Sequence, residues 1–520
     1  MAKVFFYVIV KRRREILHRS EVIEMTDSTR EWEKLEESVQ CQAWDDAAAL
    51  AQEINVQRLP WPARERVVRA LEQLPEEAVR RPLLSVRRVQ LAAGRGDRDQ
   101  ARRAYAVLTG LRERSRENTP ERQRVENLLS AAALMKQGTD NAQILLTLSV
   151  LYNELAGAPL GVNFSATGGR PSVLSGAKDL SQWGRNWKAV RSIVRPMLGA
   201  LLEQGGQGVS EAACAELLYL KNDVNNAALQ LAAAKRAPDV EIRFAVMALT
   251  AKLHLLDPAS KQPEELVERM LNTLREEGAD WLEPYAEAFR ARLNIRRGRL
   301  EEVEQWAAGW EGTELDHCTP DNAYVAHTKA QAYLALGRYR EAAMLTEELL
   351  VMIEGDCRPI DRTEYLLDGA MACERLGDGA TALDKVCRAL ALSQPYGYVR
   401  LFADRGAPML ALLNRCARER TLTEEQTVFW RRAAEGAKQM SLLCPALYAP
   451  VDKQTQLPDL TSAEVEVLHL LAAGKTNREI CEALGVKLPT AKFHIHNLCE
   501  KLGAANRTGA LSEAKKRGIL

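Results

Sequence analysis

One local pattern returns at a fixed interval and limits what this chain can fold into. In Ala330-Gln-Ala-Tyr333-Leu-Ala-Leu336-Gly337-Arg-Tyr339-Arg-Glu-Ala342 an apolar-periodic run ends on a glycine and a second run begins at once. Met371-Ala372-Cys-Glu-Arg-Leu376-Gly377-Asp-Gly-Ala-Thr-Ala382 repeats the arrangement with its glycine 40 residues on. Ala291-Arg-Leu293-Asn-Ile-Arg-Arg-Gly298-Arg-Leu300-Glu-Glu-Val303 places a glycine 39 residues before Gly337. Weaker copies surround Gly94, Gly138 and Asn222. Each copy reads as a helix pair, the Gly or Asn taking the left-handed conformation that ends the first helix. Small residues at Ala342 and Ala382 let the two helices approach closely. One pair cannot bury its apolar face alone, so neighbours stack into a superhelix with a concave inner surface. Roughly eight to ten pairs fill residues 27–450 at this period.

Composition agrees with an all-α chain. Of 520 residues only 6% are aromatic, and Ala, Leu, Glu and Arg are abundant, which favours helix over sheet. The 71 Lys and Arg nearly balance the 70 Asp and Glu, so any nucleic-acid contact must come from a local patch. None of the ten cysteines forms a C-x-x-C pair, and they read as buried thiols of a cytoplasmic protein. The apolar run Val4 to Val10 is far shorter than the ~20 residues of a membrane span. Residues 1–26 read as a leader with no assignable role.

Gly337-Arg-Tyr339-Arg-Glu-Ala342 resembles the TPR pattern. Tyr396-Gly397-Tyr398-Val399-Arg400-Leu-Phe402-Ala-Asp404-Arg-Gly406 and Leu71-Glu-Gln-Leu74-Pro75 are similar to passages of the MalT-like bacterial regulators. The resemblance implies a TPR-like sensor or interaction domain over residues 27–450, taking an unknown small-molecule inducer or a protein partner. Members of that family carry an ATPase domain before the repeats. The chain has no G-x-x-x-x-G-K-[ST] phosphate cradle, so ATP binding is not carried over and no cofactor is expected.

The repeat pattern fails between Gly157 and Gly208. Gly161-Val-Asn-Phe-Ser-Ala-Thr-Gly168-Gly169-Arg170-Pro171 reads as a long loop, followed by helical segments with Trp183 and Trp187. The favoured reading is a surface excursion that packs both tryptophans on the superhelix; an inducer site is the alternative. Residues 451–459 form a polar linker.

Residues 460–520 spell a compact module. Thr461-Ser-Ala-Glu464 is a capping box opening a helix with Val465, Leu468, Leu471 and Ala472 on one face. Gly474 ends it, and Thr476-Asn477-Arg478-Glu479 opens a second helix burying Ile480, Ala483 and Leu484. After Gly485 a third helix runs from Leu488-Pro489 to about Leu502. Asn506 caps a fourth helix that extends through Lys516. Four helices with a tight turn between the second and third form a helix-turn-helix domain. At about 100° per residue, Ala491, Ile495, Leu498 and Leu502 make the buried stripe of the third helix. Phe493, His496, Asn497 and Glu500 lie opposite, with Lys492 on the flank. An outward Phe beside Lys and His suits a major groove, where apolar carbons meet thymine methyls and polar tips meet base edges.

The module resembles the LuxR-type helix-turn-helix family at Glu464, Glu466-Val467-Leu468, Asn477, Glu479-Ile480, Thr490-Ala491-Lys492-Phe493-His494, Lys501-Leu502-Gly503 and Asn506-Arg507-Thr508. That resemblance implies base contacts from Lys492, Phe493 and His496, and phosphate contacts from Thr476, Asn477, Thr490, Asn497, Lys501 and Arg507. It also implies a homodimer on DNA through the fourth helix. Lys487 replaces the usual Ser or Thr cap, a loss of about 0.5–2 kcal/mol, and reaches toward phosphate instead. Residues 460–520 hold nine Lys and Arg against six Asp and Glu. A net charge of +3 gives modest monomer affinity, so dimerisation or clustering is expected.

The expected function is therefore that of a bacterial transcription regulator, with no catalytic or metal site. Asp316-His317-Cys318, the one compact cluster of reactive types, reads as a solvated loop. The alternative is a TPR-type scaffold whose helix-turn-helix serves docking.

Overall fold

The computed structural model describes residues 27–449 except 80, 118, 136–137, 157–161, 163, 258–259 and 311–316, and residues 462–516 except 473–474, 485, 487, 502–503 and 505. The leader, the linker and Lys487 lie outside the described residues. Backbone contacts divide the chain into Met1–Ala449 and Pro450–Leu520. Among the described residues the secondary structure is helical apart from one antiparallel bridge between Ser175 and Asp179.

In the first unit each strong repeat is a helix pair. Glu283–Arg297 is followed by Leu300–Ala308, Ala323–Ala335 by Tyr339–Met352, and Pro359–Arg375 by Gly379–Ser393. Gly298, Gly337 and Gly377 sit between the helices with φ of +69°, +78° and +86°. The residue after each glycine donates its N–H to a carbonyl five residues back: Arg299 to Asn294, Arg338 to Tyr333 and Asp378 to Cys373, at 2.8–3.0 Å. That bond satisfies a carbonyl left open at the helix end. Asn222 does the same at φ +67°, with Asp223 donating to Leu218. Near the start of the array the turn residue is Gly96, φ +78°, rather than Gly94, which lies inside Pro82–Arg95. Val303, Ala342 and Ala382 are fully buried where the second helix of each pair meets the first.

Two of these glycines separate backbone strain from crowding. A Cβ at Gly298 would also lie 2.7 Å from the Ala446 Cβ, whereas one at Gly377 meets nothing within 4 Å. Gly377→Ala should cost about 1–2 kcal/mol, the left-handed penalty alone. Gly298→Ala should cost more, since overpacking adds about 1–3 kcal/mol. Urea denaturation of the two variants measures the difference, and equal losses would remove the packing argument.

The segment after residue 157 overturns the expected surface excursion. Thr167, Val173, Leu174 and Ser181 are fully or almost fully buried, and the loop is threaded among the helices. Its polar groups are satisfied by carboxylates that face inward from helices far along the chain, as buried backbone requires. Glu216 accepts the N–H groups of Val173 and Leu174 at 2.7 and 3.3 Å and the hydroxyl of Ser172. Glu241 accepts the hydroxyls of Ser165 and Thr167. Asp361 accepts Arg170 and the Ser175 hydroxyl, both at 2.8 Å, and Arg358 at 2.5 Å. Gly169 passes so close to Tyr285 that a Cβ there would be 2.7 Å from the ring. Of the two tryptophans, Trp183 is buried and donates to the Asn141 carbonyl at 3.0 Å, while Trp187 is half-buried.

The array is also tied across long distances in sequence. Arg64 pairs with Asp321 at 2.6 Å, Asp321 donates its N–H to the Gly94 carbonyl at 3.0 Å, and Trp61 meets Tyr285 edge-on at 5.6 Å. A solenoid with neighbour-only contacts has no such ties. The cysteines are less hidden than expected: Cys214, Cys416 and Cys444 are buried, but Cys41 is exposed and the other six are half-buried.

Candidate nucleic-acid interface

The second unit is built from four helices, Ser462–Ala472, Asn477–Leu484, Leu488–Lys501 and Arg507–Lys516. Val467, Leu468, Leu471, Ile480, Ala491, Leu498, Ala510 and Ala514 form its closed core. Two expected core positions, Ala472 and Ala483, are exposed. The buried face of the first helix runs through Glu464, Val467, Leu468 and Leu471, at spacings of three and four, which leaves Ala472 outside. The second helix turns Cys481 inward beside Ile480 and leaves Ala483 on the rim. Val465 is without a described side chain, and Leu502 lies outside the described residues.

Glu464 sits almost fully buried in that face and accepts from Lys501 Nζ at 2.7 Å. This tie joins the start of the first helix to the end of the third and was invisible in the sequence, where Glu464 read as the partner of a Thr461 cap. Thr461 lies outside the described residues. Lys501 is thus held by a buried carboxylate as well as standing near the helix end. Lys501→Ala should destabilise the module by about 1.5–3 kcal/mol, the worth of a charge-assisted bond. Thermal unfolding checks this, and an unchanged midpoint would leave Lys501 with a surface role alone.

The cap at the second helix forms as its spelling requires. Thr476 donates its N–H and hydroxyl to Glu479 at 2.7 and 2.9 Å, and Glu479 N–H reaches the Thr476 hydroxyl at 3.4 Å. Those bonds, led by the Thr476 N–H and aided by Lys475, hold the Glu479 carboxyl down to about 2. Asn506 accepts the Gly509 N–H at 2.9 Å and caps the fourth helix. Arg507 donates to the Lys475 carbonyl at 2.9 Å, fastening the fourth helix to the turn before the second.

With the core so placed, the third helix turns one side outward. Ala491 and Leu498 are fully buried and Ile495 is half-buried, while Lys492, Phe493 and His496 are all exposed on the far side. Phe493 is 60% exposed, and it is the one aromatic ring among the exposed large apolar side chains of the described residues. Its ring meets His494 edge-on, with centroids 6.1 Å apart. Thr490 is exposed beside it, and Asn497 and Asn477 are half-buried. The expected base-contact residues therefore share one solvent-facing side. Of the expected phosphate-contact residues, Thr476, Lys501 and Arg507 also serve internal bonds.

Among the described residues no group of three His, Cys, Asp or Glu side chains could hold a metal ion, and no helix is long and apolar enough to cross a membrane. Asp316 is outside the described residues. Cys318 donates its N–H to Glu348 at 2.7 Å, and burial pushes its thiol up, the wrong direction for a nucleophile.

Residues 201–420 match the model of the MalT-like TPR region, and residues 458–514 match that of bacterial regulatory proteins of the luxR family. The chain is 28% identical to the HTH-type transcriptional regulator MalT of Serratia proteamaculans over 198 residues, which is 36% of this chain and 22% of that protein. A MalT of Klebsiella pneumoniae is 27% identical over 201 residues, with the same coverage. The transcriptional regulatory protein LiaR of Bacillus subtilis is 43% identical over 61 residues, 12% of this chain and 29% of LiaR. The matched part is thus about a fifth to under a third of these curated relatives. The chain carries a MalT-like TPR region joined to a C-terminal domain of the luxR family of bacterial regulatory proteins.

Proposed function

We propose that this chain is a cytoplasmic bacterial transcription regulator that binds promoter DNA sequence-specifically, as a homodimer, through the third helix of its C-terminal module. Lys492, Phe493 and His496 read base edges. Thr476, Asn477, Lys487, Thr490, Asn497, Lys501 and Arg507 approach phosphates. The helical array receives a small molecule or a protein partner and controls the module. The observation that carries the reading is the outward face of the third helix: an exposed Phe493 between exposed Lys492 and His496, opposite a closed core. A groove-bound helix sets such a ring against thymine methyls, with the polar tips beside it at base edges. The similarity to the regulators MalT and LiaR supports the same reading.

Selection of DNA from a random pool by the full-length protein tests it. An enriched inverted repeat is expected, and the Lys492→Ala/His496→Ala double variant should lose it. If neither the full chain nor residues 455–520 enrich any sequence, the module is a docking element of a scaffold. Enrichment by residues 455–520 alone would support control of the module by the array.

A further inference from the structure

The threaded loop and the helices around it line a cavity of 140 Å³, close to the roughly 150 Å³ that accepts a benzene-sized molecule. Its wall carries more positive charge than its own carboxylates balance. Arg170 is matched by Asp361, and Arg405 by Asp368 at 2.5 Å. Arg296 and Arg400, however, share one carboxylate, Asp404, at 2.9 Å each. Arg292 donates to neutral groups, the Thr328 hydroxyl at 2.7 Å and the Tyr324 carbonyl at 3.3 Å. Lys252 is half-buried on the same wall and forms no ion pair among the described residues. Against these four cations stand Asp404 and Glu364. Glu216 also lines the wall, and both of its oxygens accept from the loop, so the four cations face three carboxylates.

Three donors on this wall are buried and without a hydrogen-bond partner: Arg296 Nη1, Arg400 Nε and the Tyr324 hydroxyl. Arg400 is only 4% exposed. A buried orphan donor is costly, and on this wall three of them face one buried acceptor without a hydrogen-bond partner, Asp404 Oδ1. The remaining wall is aromatic, with Phe289, Tyr365 and Tyr448 beside Tyr324.

We propose that this cavity binds a small organic anion of one or two negative charges, a carboxylate or phosphate whose oxygens accept from Arg296, Arg400 and Tyr324. Its body lies against the tyrosine and phenylalanine rings, and Lys252 supplies the long-range attraction. The proposal rests on the array receiving a signal and is independent of DNA binding, so a failed DNA selection and a failed ligand titration are separate outcomes.

Thermal unfolding of the full-length protein, without DNA, provides the test with benzoate, phenyl phosphate and the neutral benzamide, each at about 10 mM. One or both anions should raise the midpoint by about 2–4 °C, and benzamide should not. A response to benzoate alone assigns a carboxylate, and to phenyl phosphate alone a phosphate. Lys252→Met should leave the unliganded midpoint equal or higher, because it removes a desolvated cation, yet reduce the anion response. Tyr324→Phe should keep the fold and weaken that response. If neither anion moves the midpoint, or if Lys252→Met responds as the parent chain does, the proposal fails; the second result marks a general salt effect.

Discussion

Replacing Lys492, Phe493 and His496 together by alanine is expected to lower affinity for the selected operator by about 10²–10⁴-fold while the module stays folded. All three side chains are exposed, so none contributes to the core formed by Ala491 and Leu498. A good base contact is worth about 1–3 kcal/mol, and each 1.4 kcal/mol is about tenfold. Two such contacts and one apolar contact with a thymine methyl give the stated range. Fluorescence anisotropy against operator and scrambled duplexes reads the loss, and circular dichroism checks the helices. Lys492→Ala alone should flatten the salt dependence by about one unit of slope if it also nears a phosphate, and by less if it reads only a base. Operator affinity unchanged in the triple variant would remove the third helix from the interface. The docking reading would then stand.

The other large effect is expected at Asp361. This carboxylate lies almost fully buried and binds Arg170, Arg358 and the Ser175 hydroxyl. Removing one partner of a buried pair costs about 3–5 kcal/mol, since the other charge is left without compensation. Asp361→Ala should therefore destabilise the array by that amount in urea denaturation, against about 1 kcal/mol for a typical substitution. The same pairing has a pH signature. The guanidiniums of Arg358 and Arg170 outweigh burial and hold the Asp361 carboxyl well below its usual range, and those of Arg400 and Arg296 hold Asp404 at about 2. A depressed carboxyl contributes its stability in full above the unfolded value, near 4, and loses it as pH falls toward the folded one. The array should thus weaken between pH 4 and 2, and Asp361→Asn should weaken less steeply over that window. Asp179 runs the other way, since burial pushes its carboxyl up to about 6. Its contribution grows as pH falls from 6 to 4. A stability profile without loss below pH 4 would contradict the assignment of these pairs.

How far the structure was legible depended on the range of the interaction. Gly298, Gly337 and Gly377 announce helix ends because the left-handed turn is a local requirement, met by one residue and one bond to a nearby carbonyl. The outward face of Lys492, Phe493 and His496 was also legible, because helical spacing alone opposes it to Ala491 and Leu498. Gly94 misled: it stands two residues before the true turn at Gly96, and spacing alone does not say which glycine takes positive φ. The threaded loop was hidden for a different reason. Its glycines, serines and Pro171 are those of a surface turn, and its burial depends on Glu216, Glu241 and Asp361, which look like ordinary solvent-facing acids in their own helices. Glu464 belongs to the same class. Its partner Lys501 lies 37 residues away, and only the packed module brings them together.

The ties across the array have a consequence for synthesis. Arg170 leaves the ribosome 191 residues ahead of Asp361, its buried counter-ion. At about 5–20 residues per second, that gap is roughly 10–40 s during which the loop has no finished site to enter. A neighbour-stacked array settles repeat by repeat as it emerges. Here the apolar clusters of residues 32–91 and 86–249 hold all their members before then, but Arg170 and Ser175 have no counter-group until the helix beginning at Pro359 arrives with Asp361.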